Sequence, residues 1–167
     1  MKDPAPAMVE MPVSSFNPAA CNCLALRQAT RHLTQIYDQF LAPSGLRSTQ
    51  YSILARLQRK GPMTINALAA ELVMDRTTLG RNVLPLQREG LIEIGTGRSD
   101  RRSKQLRLTT SGTARFRQAN KAWHAAQVHF ENTFGSKRAE ELRTLLEGVV
   151  AGEPPAVGQS HEPHRHG

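Results

Sequence analysis

Apolar residues recur at three- and four-residue intervals along most of the chain, which is the spacing of one buried face of an α-helix. The pattern predicts six helices, at about residues 19–41, 48–60, 65–73, 75–89, 110–134 and 136–151. Apolar and polar residues alternate instead at 91–94 and 105–108, which predicts two short antiparallel strands. The order of these elements predicts a mainly α fold, a winged helix-turn-helix with long terminal helices.

Prolines, glycines and capping residues indicate where the predicted helices begin and end. Asn17 followed by Pro18 predicts the start of the first helix, because proline is favoured at the first helical position. Asp75 is expected to cap the fourth helix by accepting a backbone N–H of its first turn. Gly90 stands where a left-handed residue commonly closes a helix. The third and fourth helices are therefore joined by only a tight link at Met74 and Asp75.

The fourth helix has one apolar and one polar face. Leu79, Val83 and Leu86 recur at i, i+4 and i+7, which predicts that they are buried together. The opposite face carries hydrogen-bond donors and small side chains that suit base edges and phosphates in a DNA major groove. We assign to this DNA-contacting set Thr64, the cap of the preceding helix, together with Arg76, Thr77, Thr78, Arg81 and Asn82.

A strongly basic turn separates the two predicted strands. It contains Arg98, Arg101, Arg102 and Lys104, and only Asp100 opposes them. A cationic hairpin tip is attracted to phosphates and to the negative potential of a narrow minor groove. A solvated helix face or a soluble turn would explain either feature alone. Because the turn follows the helix-turn-helix directly, we interpret the two as one interface for double-stranded DNA.

Composition favours the same partner and excludes several classes. The chain has 167 residues, a formal net charge of +8, 39% hydrophobic residues and 5% aromatic residues. The positive charge favours a polyanion, although an anionic membrane surface would attract it too. No apolar run is long enough for a transmembrane helix, and no secretory signal is expected. Two cysteines do not make a disulfide framework, so a cytoplasmic location fits.

The chain is expected to form one domain between two disordered ends. Residues 1–16 predict a mobile arm, 17–151 the domain, and 152–167 a disordered His-rich tail. A winged unit at about 48–109 is small and buries little surface alone. We therefore expect the helices at 17–41 and 110–151 to pack against a second copy, giving a homodimer on an inverted-repeat operator. Metal binding by His161, His164 and His166 of the tail would be adventitious, and no cofactor is expected.

The segments LAAELVMDRTTLGRNVLPLQREGLI and SDRRSKQLRLTTSG resemble the MarR family of bacterial transcriptional regulators. The order of elements matches over roughly residues 19–150. The wing signature of the family is matched by Asp100-Arg101-Arg102 and by Leu108-Thr109-Thr110-Ser111-Gly112. The resemblance implies a dimeric repressor that a small ligand, often an aromatic carboxylate, or cysteine oxidation releases from DNA.

The resemblance can be tested for the redox type of regulator. Cys23 falls where peroxide-sensing members carry a reactive cysteine, and Tyr37 matches one tyrosine that bonds it. Arg27 and Ser48 stand where two further tyrosines are expected, so the hydrogen-bond set is incomplete. Alternatively, Cys23 is simply a small buried residue. Cys21 lies two positions away on a helix, where the two thiols cannot easily pair.

A ligand-responsive regulator is the hypothesis that we favour. Family pockets lie between the winged domain and the dimer helices, and the candidate lining residues are Arg27, Arg31, His32, Tyr51 and Trp123. An arginine beside aromatic rings can pair bidentately with the carboxylate of an aromatic acid. Each of these residues is also compatible with a solvated edge or a plain core position. Within the family, the chain resembles repressors of nicotinate breakdown, which implies a hydroxylated nicotinate as effector.

Two other functions stay open. One is a redox-sensing repressor acting through Cys23, and the other is a basic nucleoid-type DNA-binding protein without an effector. An enzyme is not expected, because the sequence contains no phosphate-binding loop, nucleophile elbow or zinc-protease motif.

Overall fold

The structure is a computed structural model that describes residues 17, 20–96 and 104–152. Six helices and three strands follow one another in these residues: α1 Asn22–Leu41, α2 Ser48–Lys60, β1 Met63–Thr64, α3 Ile65–Glu71, α4 Arg76–Arg88, β2 Ile92–Thr96, β3 Lys104–Leu108, α5 Thr110–Phe134 and α6 Ser136–Ala151. The predicted mainly α fold with a winged helix-turn-helix is confirmed. The described residues divide into two compact units, one up to residue 126 and one from residue 127 onward, and the boundary falls within α5.

The first helix begins later than the sequence predicts. α1 begins at Asn22, where the Sγ atom of Cys21 accepts the backbone N–H of Leu24 at 3.4 Å. Asn17 does not cap this helix, and its carbonyl oxygen instead accepts the N–H of Ala20 at 3.0 Å. Cys21 takes the capping role because its sulfur reaches one of the first-turn N–H groups that no helical carbonyl can satisfy.

The link between α3 and α4 is longer than the predicted one. α3 ends at Glu71, whereas the apolar pattern predicts a helix through Val73. The backbone of Val73 has φ of 52°, a left-handed conformation that cannot continue a right-handed helix and that a β-branched residue rarely adopts. The N–H of Met74 then donates to the carbonyl of Ala69 at 2.9 Å and closes the turn.

The wing is a three-stranded antiparallel sheet with the order β1-β3-β2. In the β2–β3 hairpin Ile94 lies opposite Leu106 and Thr96 opposite Lys104. The two predicted strands are confirmed, with small shifts at their ends. The strand β1 was not predicted, because two residues are too few to show an alternating pattern.

Thr109 joins the wing to α5. Its hydroxyl donates to the carbonyl of Gly90 at 2.7 Å and accepts the N–H of Gly112 at 2.9 Å. The side chain therefore caps the start of α5 and holds it against Gly90, two residues before β2. This contact accounts for Thr109 in the signature segment Leu108-Thr109-Thr110-Ser111-Gly112.

The core of the first unit is mainly aliphatic. Its largest fully buried side chains are Leu41, Ile53, Leu54, Leu68, Leu79, Leu86 and Ile92. In the second unit the rings of Phe130 and Phe134 stack with centroids 5.2 Å apart, and the Arg138 guanidinium lies 4.4 Å from the Phe134 centroid. Among residues 20–96 and 104–152, no helix combines the length and apolar character needed to span a membrane.

Candidate nucleic-acid interface and ligand pocket

The helix α4 presents one face to the core and the other to solvent. Leu79, Val83 and Leu86 are buried, as their spacing predicts. Arg76, Thr77 and Arg81 are exposed. Within the described part of the chain, none of these three side chains forms a hydrogen bond or an ion pair. Their side chains are therefore available to a partner that approaches the exposed face.

Two other predicted DNA-contacting residues take part in bonds within α4. The carboxylate of Asp75 caps the helix, accepting the N–H of Thr78 at 2.8 Å and its hydroxyl at 2.5 Å. These bonds, with the hydroxyl of Thr78 contributing most, hold the pKa of Asp75 below its usual value. The amide of Asn82 donates to the carbonyl of Thr78 at 2.9 Å. Thr78 and Asn82 thus stabilise the helix as well as lying on its polar side.

The remaining predicted DNA-contacting residues lie outside α4. Thr64 is half-buried and caps α3 by accepting the N–H of Ala67 at 3.1 Å. Lys104 is exposed at the start of β3. Arg98, Arg101 and Arg102 lie outside the described residues. On the wing strands, the guanidinium of Arg107 pairs with Glu93 at 2.9 Å.

A pocket of about 380 Å³ lies in the first unit between α2, the end of α3 and α5. It brings together two of the predicted ligand-binding residues, Tyr51 and Trp123. The other residues that line it are Ser52, Ala55, Arg56, Arg59, Leu72 and Asn120. The lining thus combines an aromatic surface with two guanidinium groups, which is the combination expected for an aromatic acid.

The Tyr51 ring is held firmly in this pocket. It stacks on Trp123 and on Phe116, with ring centroids 5.8 Å and 5.6 Å away. Its hydroxyl donates to the side-chain oxygen of Asn120 at 2.7 Å. Burial raises the pKa of Tyr51 to about 12, so the hydroxyl stays protonated and neutral at physiological pH.

The predicted cations on α1 are not part of this pocket. Arg27, Arg31 and His32 are exposed on α1, and none of them lines the cavity around Tyr51 and Trp123. Cys23 is also exposed in the single chain, so the alternative interpretation of Cys23 as a buried core residue is wrong for this chain alone. Some apolar side chains of α1 are also exposed, because no other element in the described part of the same chain packs against them.

Sequence reasoning missed the two arginines that do line the pocket. Arg56 and Arg59 follow Tyr51 and Ser52 at helical spacing on α2. This spacing places them on the same face of the helix as Ser52, next to Tyr51, and it could have identified them as lining residues. Both guanidinium groups also contact Glu71 at the end of α3, at 3.5 Å and 3.4 Å. That contact depends on how α2 packs against α3, which the sequence pattern does not show.

Glu71 has a third partner, Lys60, at 2.6 Å. The hydrogen bond from Lys60, with the charges of Lys60, Arg56 and Arg59, holds the pKa of Glu71 below its usual value. The carboxylate is therefore ionised at neutral pH. Three cations meet one carboxylate in this cluster, so net positive charge remains beside the pocket.

These features define a protein of the winged helix-turn-helix class, with an exposed polar face on α4 and a separate pocket. Comparisons with known proteins give the family. A family model described as "MarR family" matches residues 44–103. The chain therefore belongs to the MarR family of transcriptional regulators, as similar proteins of known structure also show.

The transcriptional regulator MosR of M. tuberculosis is similar in sequence and fold. One crystal structure is 32% identical, with a TM-score of 0.68, over 80% of this chain and 98% of that one. A second, of MosR in complex with DNA, is 34% identical, with a TM-score of 0.67, over 78% and 97% of the two chains. The uncharacterised regulator YwoH of Bacillus subtilis (strain 168) is 28% identical over 95 residues, 57% of this chain and 69% of YwoH.

Proposed function

We propose that this protein is a transcriptional repressor that inserts α4 into the major groove of an operator. The observation that carries this proposal is the division of α4 into a buried apolar face and an exposed face with Arg76, Thr77 and Arg81. Arginine side chains are the commonest readers of guanine in the major groove, and a threonine methyl can contact thymine. The similarity to MosR, for which a DNA complex is known, supports this role.

We further propose that the repressor is a homodimer with one α4 per half-site. Apolar side chains on the terminal helices support this assembly. On α1, Leu24 and Leu26 are 41% and 38% exposed, and on α6 Leu145 and Val149 are 69% and 62% exposed. Burial of such side chains against a second copy would supply the hydrophobic stabilisation that a small winged unit lacks alone.

The effector that fits the pocket best is a small aromatic carboxylate. The ring would lie beside Trp123 and Tyr51, and the carboxylate would pair with Arg56 or Arg59. Arg56 and Arg59 take the role that the sequence analysis gave to Arg27, Arg31 and His32, because these two arginines line the same pocket as the aromatic rings. Hydroxylated nicotinates stay within this class, because they combine one ring with one carboxylate.

A redox response through Cys23 is the second candidate function. The observation in its favour is that its own chain leaves Cys23 exposed, because an oxidant must reach a thiol to react with it. Cys21, two residues away, already accepts the N–H of Leu24 through its sulfur. Oxidation at either position would change the start of α1, a helix that we assign to the dimer.

A pair of DNA-release titrations tests the effector class. The wild type is first bound to DNA that it selects from random sequences. The complex is then titrated with aromatic acids, including salicylate and hydroxylated nicotinates, or with an organic hydroperoxide. We expect release by at least one acid, with the same midpoint in Cys23→Ser. Release by hydroperoxide alone, absent in Cys23→Ser, would contradict the carboxylate proposal and favour the redox function.

A further inference from the structure

Glu71 and the pocket use the same two arginines. The Nη1 atom of Arg56 and the Nη2 atom of Arg59 lie 3.5 Å and 3.4 Å from one carboxylate oxygen of Glu71. Both arginines also line the pocket that holds Tyr51 and Trp123, whereas Glu71 is not among its lining residues. A carboxylate bound in the pocket would therefore meet guanidinium groups that Glu71 already holds.

We propose that Glu71 is an internal competitor of the effector, so that an aromatic acid in the pocket displaces Glu71 from Arg56 and Arg59 and thereby loosens α3. This inference rests on the proposed function, since it requires that the pocket binds a carboxylate. It adds a physical route by which an effector bound in the pocket would change the packing of α3 and, through it, of α4. α3 is the first helix of the helix-turn-helix, and α4 follows it after only four residues.

The exposure of the cluster suits an exchange of partners. The side chains of Arg56 and Arg59 are 35% and 63% exposed, and that of Glu71 is 23% exposed. Because these guanidinium groups are partly open to solvent, a second carboxylate can reach them and take the place of Glu71 without leaving either arginine unpaired. An acid whose ring is buried beside Trp123 gains apolar contact that Glu71 does not have. The acid therefore has a physical advantage over Glu71 for the two arginines.

Competition has a defined thermodynamic signature. An effector shifts the protein between two conformations only by its difference in affinity for them. If the DNA-binding conformation is the one in which Glu71 holds both arginines, the acid must first break these pairs. Removing the competing carboxylate then strengthens acid binding. It also weakens the effect of the acid on DNA affinity, because the acid no longer has a different affinity for the two conformations.

The test compares Glu71→Gln with the wild type in two measurements. Calorimetry gives the affinity for salicylate and, as an uncharged control, for salicylamide. DNA titration with and without salicylate gives the coupling factor. We expect Glu71→Gln to bind salicylate more tightly by roughly fivefold or more, which is the lower end of typical coupling between sites. Its affinity for salicylamide should stay the same, and its coupling factor should fall towards one.

Lys60→Gln is the matched control for a purely structural role of Glu71. Lys60 makes the shortest contact with Glu71, at 2.6 Å, but does not line the pocket. If Glu71→Gln acted only by freeing α3 from α2, Lys60→Gln would tighten salicylate binding to the same extent. We expect Lys60→Gln not to tighten it, because the two arginines still have Glu71 as a partner.

The outcomes separate this inference from the proposed function. If no acid releases DNA from the wild type, the proposed effector class is wrong, and the proposed competition by Glu71 is then wrong as well. If salicylate releases DNA from the wild type but binds Glu71→Gln no more tightly, only the competition is wrong. Equal tightening in Glu71→Gln and Lys60→Gln would also overturn the competition while leaving the effector class in place.

Discussion

At the scale of single residues, Gly112 shows how a family signature follows from packing. A Cβ atom at this position would lie 2.0 Å from the carbonyl oxygen of Leu91, which is backbone and cannot rotate away. The same carbonyl accepts the N–H of Thr109 at 3.1 Å, so α5 approaches the residue before β2 closely. The resemblance to the family identified Gly112, but only the structure shows that its lack of a side chain permits this approach.

Gly112→Ala is therefore expected to destabilise the fold by about 1–3 kcal/mol, the usual cost of forcing extra atoms into a packed site. Urea unfolding, followed by circular dichroism, measures this loss as a lower urea concentration at the unfolding midpoint. The slope of the unfolding free energy against urea concentration should stay the same. Gly80→Ala in α4 is the matched control, because its Cβ atom would meet nothing within 4 Å. That control should be neutral or stabilising by up to about 1 kcal/mol. Equal midpoints for Gly112→Ala and the wild type would contradict the packing argument.

At the scale of elements, the sequence predicted α4 well because its signals are local. The apolar spacing of Leu79, Val83 and Leu86 and the cap at Asp75 depend only on residues within one helix. The end of α3 was missed because Val73 adopts a left-handed conformation that its residue type disfavours. Local propensity therefore predicts a longer helix, and tertiary packing overrides it.

The exposed face of α4 leads to a prediction for Arg81. Arg81→Ala should weaken binding to the selected DNA by about 1–3 kcal/mol and relax the preference at one base position, as expected for a lost base contact. Arg117→Ala is the matched control, since Arg117 is an exposed arginine on α5 and its loss removes the same charge. Affinities for the selected site and for each single-base variant measure the effect. Unchanged discrimination among these sites in Arg81→Ala would exclude Arg81 as a reader of sequence.

At the scale of the whole molecule, the sequence predicted the fold class but only part of the ligand pocket. Tyr51 and Trp123 were two of the five candidate lining residues, and the structure stacks their rings with centroids 5.8 Å apart. Arg56, Arg59 and Asn120 were missed, because their positions in one pocket depend on how α2 and α5 pack. Helical periodicity indicates which face of a helix is buried, but it does not identify the helix that covers that face.

The proposed dimer also belongs to this scale. Exposed apolar side chains on α1 and α6 are unfavourable in a solitary chain, and a second copy would cover them. A two-fold dimer carries two copies of α4 in opposite orientations. The symmetry of the bound DNA therefore reports on the assembly and on the recognition helix together.

The most direct test of the account is a footprint on DNA that the protein selects from random sequences in vitro. We predict that the wild type selects an inverted repeat whose half-site centres lie about one helical turn, roughly 10 bp, apart. Arg81→Ala should protect the same repeat less well. Selection of a single unsymmetrical site, of direct repeats or of no defined sequence would contradict a dimeric repressor that reads DNA through α4.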